Sequence, residues 1–472
     1  MTLKSINPAT GEVIETFQPF TRSQIDDALE AATLAQRVWR KTSFHERGER
    51  LRAVAAHLRA RKAELARAAT QEMGKPITEA EAEVEKCAWN CDFYAERAER
   101  FLADEQIASS ASDSYVSFIP LGVALAVMPW NFPYWQVFRF AAPALMAGNT
   151  AVLKHASNVS RVALEIERVF RDCGLPEGAF RTLLVSGAEV EALIGDPRVA
   201  AVTLTGSEGA GVSVAQAAGR HLKKTVLELG GSDAFIVLAD ADLDAAAKTG
   251  VRSRFQNTGQ SCIAAKRFIV EDAVYDAYLW RFIEETKALR VGDPLLPETQ
   301  IGPMARTDLR DALDEQVRRS VEMGAHVALG GHPIAGQGAF YEPTILVDVP
   351  PSMPAFTEET FGPVAAVIRA RDAEHAVELA NDSQFGLGGN LWTEDIERGR
   401  ALAREIQSGN VFINGMTASD PRLPFGGVKR SGYGRELSSF GIREFVNIQT
   451  VWIGPATNAG AAAQRQDTPA SE

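Results

Sequence analysis

From Thr21 to about Arg100 apolar residues recur at helical spacing, as in Ile25, Leu29, Ala32 and Ala35, within a stretch rich in Ala, Glu, Arg and Leu. This predicts several amphipathic helices, interrupted at Gly74-Lys75-Pro76. The character changes from Tyr115 to Met128, where Pro120-Leu121-Gly122 separates two apolar strands. Alternation then sets in: a helix from Pro133 to Met146, a strand from Thr150 to Lys154, a helix from Val159 to Arg171, and strands from Phe180 to Val185 and Val199 to Thr205. A further helix and the strand Thr225 to Leu229 follow. Strand and helix taking turns at this pace require right-handed crossovers, hence a parallel sheet covered on both faces with a ligand crevice at its carboxyl edge. A second alternating stretch begins at Ala234 and runs to about Pro424, with helices from Ala273 to Leu289 and Asp308 to Met323. The expected fold is α/β with two domains.

A chain of 472 residues supports that division, because one hydrophobic core seldom organises so many. The net charge of -12 disfavours nucleic acid or an anionic membrane as the main partner. The longest apolar run, Leu121 to Pro129, is too short to span a bilayer and reads as a buried strand. Met1 to Pro8 carries no apolar core of a secretory signal. Four cysteines are too few for a disulfide framework, which points to a reducing cytoplasm. Cys87 and Cys91 share a helix face, but no further ligands accompany them, so no metal is expected.

Four polar residues stand out from their surroundings. Cys262 lies in Phe255-Gln-Asn-Thr-Gly-Gln-Ser-Cys-Ile, a polar loop that suits a reactive thiolate, although an inert core cysteine reads as well from this pattern alone. Glu228 is the lone charge between Lys224 and Asp233. Burial would give it the raised pKa of a general base; the alternative is a solvated edge-strand carboxylate. Asn131, among aromatics at a strand-to-helix corner, is an oxyanion donor or a helix N-cap. Arg139 is the single charged side chain from Ser114 to Leu153 and needs an anion, either a substrate carboxylate or an internal partner. Thr205-Gly206-Ser207 ends a strand where a pyrophosphate could meet a helix N-terminus, and Lys154 adds a cation on the same edge.

Together these segments resemble the aldehyde dehydrogenase superfamily, from Ile6-Asn-Pro-Ala-Thr-Gly11 to about Trp452. Six motifs carry the likeness in order: Pro129-Trp-Asn-Phe-Pro133, Thr205-Gly-Ser207, Leu227-Glu-Leu-Gly-Gly231, Gly259-Gln-Ser-Cys262, Glu358-Glu-Thr-Phe-Gly-Pro363 and Pro424-Phe-Gly-Gly427. The resemblance implies an NAD(P)-dependent oxidation of an aldehyde through a thiohemiacetal. Cys262 would be the nucleophile, Asn131 with the Cys262 N–H the oxyanion hole, and Glu228 the deacylation base. Lys154 and Glu359 would hold ribose hydroxyls, Gly206 and Ser207 the phosphates, and Trp130, Leu229 and Phe361 the rest of the dinucleotide. Ser157, where NAD-strict members carry an acid, leaves NADP tolerated alongside NAD.

Within the superfamily the chain is most similar to short bacterial succinate-semialdehyde dehydrogenases, through Arg139, Lys154-His-Ala-Ser-Asn158, Glu228-Leu-Gly-Gly-Ser-Asp233 and Phe412-Ile-Asn-Gly-Met-Thr-Ala-Ser-Asp420. Arg139 matches their carboxylate-binding arginine. A second arginine of some relatives is Gln256 here, so Arg139 would act with help from Ser419 or Arg254. Other small aliphatic or aromatic aldehydes, and a non-catalytic dinucleotide-binding relative, are the alternatives. The implied fold is aldehyde dehydrogenase-like: a dinucleotide-binding domain at 1–112 and 128–227, a catalytic domain at 228–424, a β oligomerisation arm at 113–127 and 425–455, and a disordered tail at 456–472. A homodimer or homotetramer is expected, since exposed β-edges are usually covered.

Overall fold

The computed structural model describes residues 2–454. Its first α/β unit is built on a six-stranded sheet ordered Gly432–Tyr433, Lys224–Glu228, Val199–Thr205, Val123–Met128, Thr150–His155 and Phe180–Thr182. All neighbours are parallel except the first pair. The second unit carries seven strands ordered His326–Leu329, Thr344–Val347, Val364–Ala370, Ala265–Glu271, Asp233–Val237, Gly388–Trp392 and Asn410–Ile413. These too are parallel except at the His326 edge. Their central strands are largely apolar and buried, as coverage of both faces demands, Val123–Met128 without a polar residue and Asp233–Val237 and Val364–Ala370 with one each.

The two strands flanking Pro120-Leu121-Gly122 part company. Asp113–Pro120 pairs antiparallel with Val446–Ile453, in register from Asp113↔Ile453 to Pro120↔Val446, and with Glu105–Gln106 on its other side. Val123–Met128 instead lies inside the six-stranded sheet. The expected arm at 113–127 therefore stops at Pro120: the continuous apolar run of Val123–Met128 is buried on both faces, whereas Asp113–Pro120 keeps polar positions and partial exposure. Similarly, Gly432–Tyr433, inside the expected 425–455 segment, edges the six-stranded sheet. The expected tail lies outside the described residues.

Helices of the N-terminal region close one face of the six-stranded sheet. The Ile77–Phe101 helix packs on Phe44–Ala60 and on Trp135–Met146. The last of these starts at Trp135, two residues after the proline expected to open it. Its first amides are satisfied by a distant carboxylate, since Glu83 Oε1 accepts from the N–H groups of Tyr134 and Trp135, both at 2.8 Å. Glu83 in turn pairs with the buried Lys75 ammonium. Phe138, one turn along, is fully buried and stacks on Phe170 with ring centroids 5.1 Å apart. Replacing Phe138 by Ala should cost about 3–5 kcal/mol through the cavity left behind, read as a fall in the thermal unfolding midpoint.

Candidate active site

A cavity of about 870 Å³ opens between the two units, and Cys262 lies on its wall. Gln256, Arg139, Lys86, Trp135, Ser419 and Phe425 line it as well. Cys262 is partly exposed, whereas Cys87, Cys91 and Cys173 are buried. Desolvation pushes the Cys262 thiol up to about 12, against the charges of Arg139 and Lys266, which favour the thiolate.

The loop carrying Cys262 has no regular ladder to hold it. After the Leu243–Phe255 helix, Asn257, Thr258 and Gly259 take φ of 53, 56 and 72° in succession, a left-handed run unusual for the first two. A Cβ on Gly259 would lie 2.3 Å from the Gly362 carbonyl, so the close approach needs glycine. Buried donors satisfy the carbonyls that this irregular path exposes. Arg254 donates to Gly259 O at 2.7 Å, Gly362 O at 2.6 Å, Ala265 O at 3.1 Å and Thr360 O at 3.3 Å. Lys266 donates to Ser261 O and Cys262 O at 2.9 and 2.8 Å. The expectation that Arg254 helps to hold a substrate carboxylate is thus corrected: its guanidinium is fully buried and spent on backbone.

Asn131 Nδ2 donates to Gln260 O at 3.1 Å, and Asn257 Nδ2 donates to Asn131 O at 2.8 Å, tying the 129–133 corner to the cysteine loop. Because the helix is capped at Tyr134, the N-cap alternative for Asn131 fails. Glu228 ends its strand nearly fully buried, and neither carboxylate oxygen has a hydrogen-bond partner among the described residues. The edge-strand alternative for it therefore fails. Burial raises its pKa to about 8, with Arg139 pulling down and Glu436 pushing up.

Arg139 meets an anion from within the chain. Its guanidinium pairs with Glu436, donates to Thr205 Oγ1 at 3.3 Å and lies 4.9 Å from the Phe425 ring centre. The internal partner is present, as a guanidinium this deeply buried requires, and Arg139 also lines the cavity. Gln256 and Ser419 do face the cavity, and Ser419 Oγ accepts from Lys86 Nζ at 2.7 Å.

A second cluster lies along the carboxyl edge of the six-stranded sheet. Ser207 caps the Glu208–Arg220 helix through Ala210 N at 3.4 Å, with Gly206 beside it. Gly211 in that helix approaches Leu229 so closely that a Cβ would fall 2.6 Å from its methyls. Lys154 is half-buried, and desolvation lowers its pKa; Ser157 is exposed just beyond it. Glu359 accepts from Gly231 N at 2.9 Å and sits 3.7 Å from Lys266 Nζ. Trp130 and Phe361 meet edge to face at 5.7 Å. His155 is held between the Met128 and Pro133 carbonyls, and burial lowers it to about 4, so it is no base for Cys262.

Sequence reasoning missed Lys86, Lys266 and Glu436. Lys86 reads as one charge among many on a polar helix, and nothing local to the other two marks their distant partners. Among the described residues no group of three or more His, Cys, Asp or Glu is placed to hold a metal.

The sequence model of the Aldehyde dehydrogenase family matches residues 1–451. A probable succinate-semialdehyde dehydrogenase (NADP(+)) of Synechocystis is 53% identical over 453 residues, covering 96% of this chain and 100% of its own. The Mycobacterium tuberculosis succinate-semialdehyde dehydrogenase (NADP(+)) 1 is 53% identical over 456 residues, at 96% and 100% coverage. The crystal structure of succinic semialdehyde dehydrogenase from Streptococcus pyogenes, in complex with NADP+ as the cofactor, superposes with a TM-score of 0.94 at 41% identity, covering 96% of this chain and 100% of that one.

A thiol reagent should label Cys262 ahead of the three buried cysteines, and C262S should remove that fast phase. With the thiol at about 12, the labelling rate should climb about tenfold per pH unit between pH 7 and 9, as the thiolate fraction does.

Proposed function

Because the chain belongs to the aldehyde dehydrogenase family, and is an NAD(P)-dependent aldehyde dehydrogenase, we propose that Cys262 is its nucleophile and succinic semialdehyde its substrate, with succinate as product. The observation that carries this is the position of Cys262, the one partly exposed thiol of the four, on the wall of a cavity that cationic side chains also line.

The sheet edge suits a dinucleotide. Ser207 starts a helix whose free amides favour phosphate, Lys154 forms no ion pair among the described residues, and the Gly211–Leu229 approach leaves no side chain between helix and strand. Gly206 and Ser207 would hold the phosphates, Lys154 and Glu359 the ribose hydroxyls, and Trp130, Leu229 and Phe361 the remaining surface. Ser157 sets no negative charge against a 2′-phosphate, which supports NADP as well as NAD.

The Cys262 thiol gives its proton to water in the cavity, the charges of Arg139 and Lys266 favouring the thiolate, and the sulfur attacks the aldehyde carbon. Asn131 Nδ2 and the Cys262 N–H hold the resulting oxyanion, a contribution of about 3 kcal/mol for one such donor. When bound, the nicotinamide supplies the hydride acceptor that turns the thiohemiacetal into a thioester. Glu228 then removes a proton from the water that hydrolyses this thioester and frees the acid.

The antiparallel sheet of Asp113–Pro120 and Val446–Ile453 leaves Ile448, Trp452 and Ile453 exposed. This supports assembly as a homodimer or homotetramer through that arm.

Absorbance of reduced nicotinamide tests the reading. Succinic semialdehyde should exceed butanal in kcat/KM with both NAD and NADP, and no turnover of any aldehyde would overturn the assignment. E228Q should give a single-turnover burst followed by a steady rate lowered by roughly 10²–10⁴-fold. Since its raised pKa means that the basic form of Glu228 appears only as pH climbs toward 8, native kcat should increase from pH 6 to about 8 and level off above. E228Q should lose that rise.

A further inference from the structure

Resting on the reading of Cys262 as nucleophile and Asn131 as oxyanion donor, we infer that Glu79 is a positioning residue for the reaction, its carboxylate fixing the Asn257 amide to which both donors of the oxyanion hole are tied. Glu79 stands in the first turn of the Ile77–Phe101 helix, lines the cavity together with Cys262, and accepts the Asn257 N–H at 2.6 Å. The chain has just left the Leu243–Phe255 helix at this point. Gln256 takes φ -53 and ψ 142°, and Asn257 then enters the left-handed region at φ 53 and ψ 35°. A residue with a side chain holds that conformation only where neighbouring groups fix it.

Asn257 passes this placement on in two directions. Its Nδ2 donates to Asn131 O at 2.8 Å and to Gln260 O at 3.0 Å, and its carbonyl accepts from Gln260 N at 3.0 Å. Gln260 O also takes one N–H of Asn131 Nδ2, at 3.1 Å, which orients the amide's second N–H for an oxyanion. Cys262, whose N–H is the other proposed donor, lies two residues beyond Gln260. The charges that act on the Cys262 thiol are those of Arg139, Lys266, Glu359 and Glu228, so Glu79 reaches the reaction through geometry and not through its charge. Burial pushes its own carboxyl up to about 7, with Lys75, the Asn257 N–H and Arg252 pulling down and Glu83 pushing up. Acid and carboxylate alike present an oxygen to the amide, so the tie survives either state.

The test compares the native enzyme with E79D, which keeps the charge but shortens the reach, and E79Q, which keeps the reach but drops the charge. Three quantities are read: kcat and KM for succinic semialdehyde, the pH profile of kcat, and the rate of Cys262 alkylation by iodoacetamide, which needs a thiolate but no oxyanion hole. E79D should lower kcat roughly 10- to 100-fold with KM little changed, because the oxyanion donors are misplaced rather than removed. Its alkylation rate should match the native one. E79Q should recover most of kcat and keep the rise toward pH 8 that belongs to Glu228. An unchanged kcat in E79D overturns the inference, and so does an equal fall in kcat and alkylation in both variants, which would make Glu79 a support for the loop as a whole. Loss of the pH rise in E79Q overturns it too, by showing that the charge matters and not the position. Turnover that persists in C262S would refute the nucleophile reading itself, whatever Glu79 does.

Discussion

A cation removed from water needs an anion, and around the cavity the chain meets this requirement three times, with Lys75–Glu83, Arg139–Glu436 and Lys266–Glu359. Each pair does more than cancel charge. Glu83 also receives the first amides of the Trp135–Met146 helix, and Lys266 also gathers the carbonyls of the cysteine loop. Glu228, by contrast, is left without a hydrogen-bond partner among the described residues, and burial raises it to about 8, with Arg139 pulling down and Glu436 pushing up. Its neutral form is the one the fold prefers. Between the usual carboxylate range and pH 8 the folded state holds a proton that the unfolded chain has lost, and stability falls as pH climbs through that window. A group that the fold stabilises poorly in its charged state is one that takes and gives protons near neutrality.

The cysteine loop shows the same economy in its backbone. Three consecutive left-handed residues turn the chain away from any ladder, and a fully buried arginine and a fully buried lysine serve as donors to the carbonyls of Gly259, Ser261 and Cys262. Because Arg254 bridges Gly259 to Gly362, the loop before Cys262 is fixed to the segment that carries Glu359 and Phe361. The thiol and the proposed ribose and nicotinamide contacts are thereby parts of one hydrogen-bonded body, not two surfaces that must be brought into line.

The alternation of strand and helix was readable because parallel strands buried on both faces are continuous apolar runs, and the ordered motifs marked the residues along the sheet edges. Charge partnerships were not readable. Arg139 announced that it needed an anion, yet nothing in its neighbourhood names Glu436, almost 300 residues away. The split at Pro120 was hidden for a related reason: two adjacent apolar strands look like a hairpin until the sheets they join are known, and these join different ones. Arg254 was misplaced because a cation beside a nucleophile reads as a ligand for substrate, while the carbonyls that occupy it arise only from the three-dimensional path of the loop.

One face of the Ile77–Phe101 helix links these observations. Glu79, Glu83 and Lys86 follow one another at spacings of four and three, so all three side chains project from the same side. Glu79 accepts the Asn257 N–H of the cysteine loop at 2.6 Å, Glu83 holds the start of the Trp135–Met146 helix, and Lys86 reaches into the cavity toward Ser419. A single helix therefore ties together the nucleophile's loop, the helix that follows Asn131, and a cation on the cavity wall.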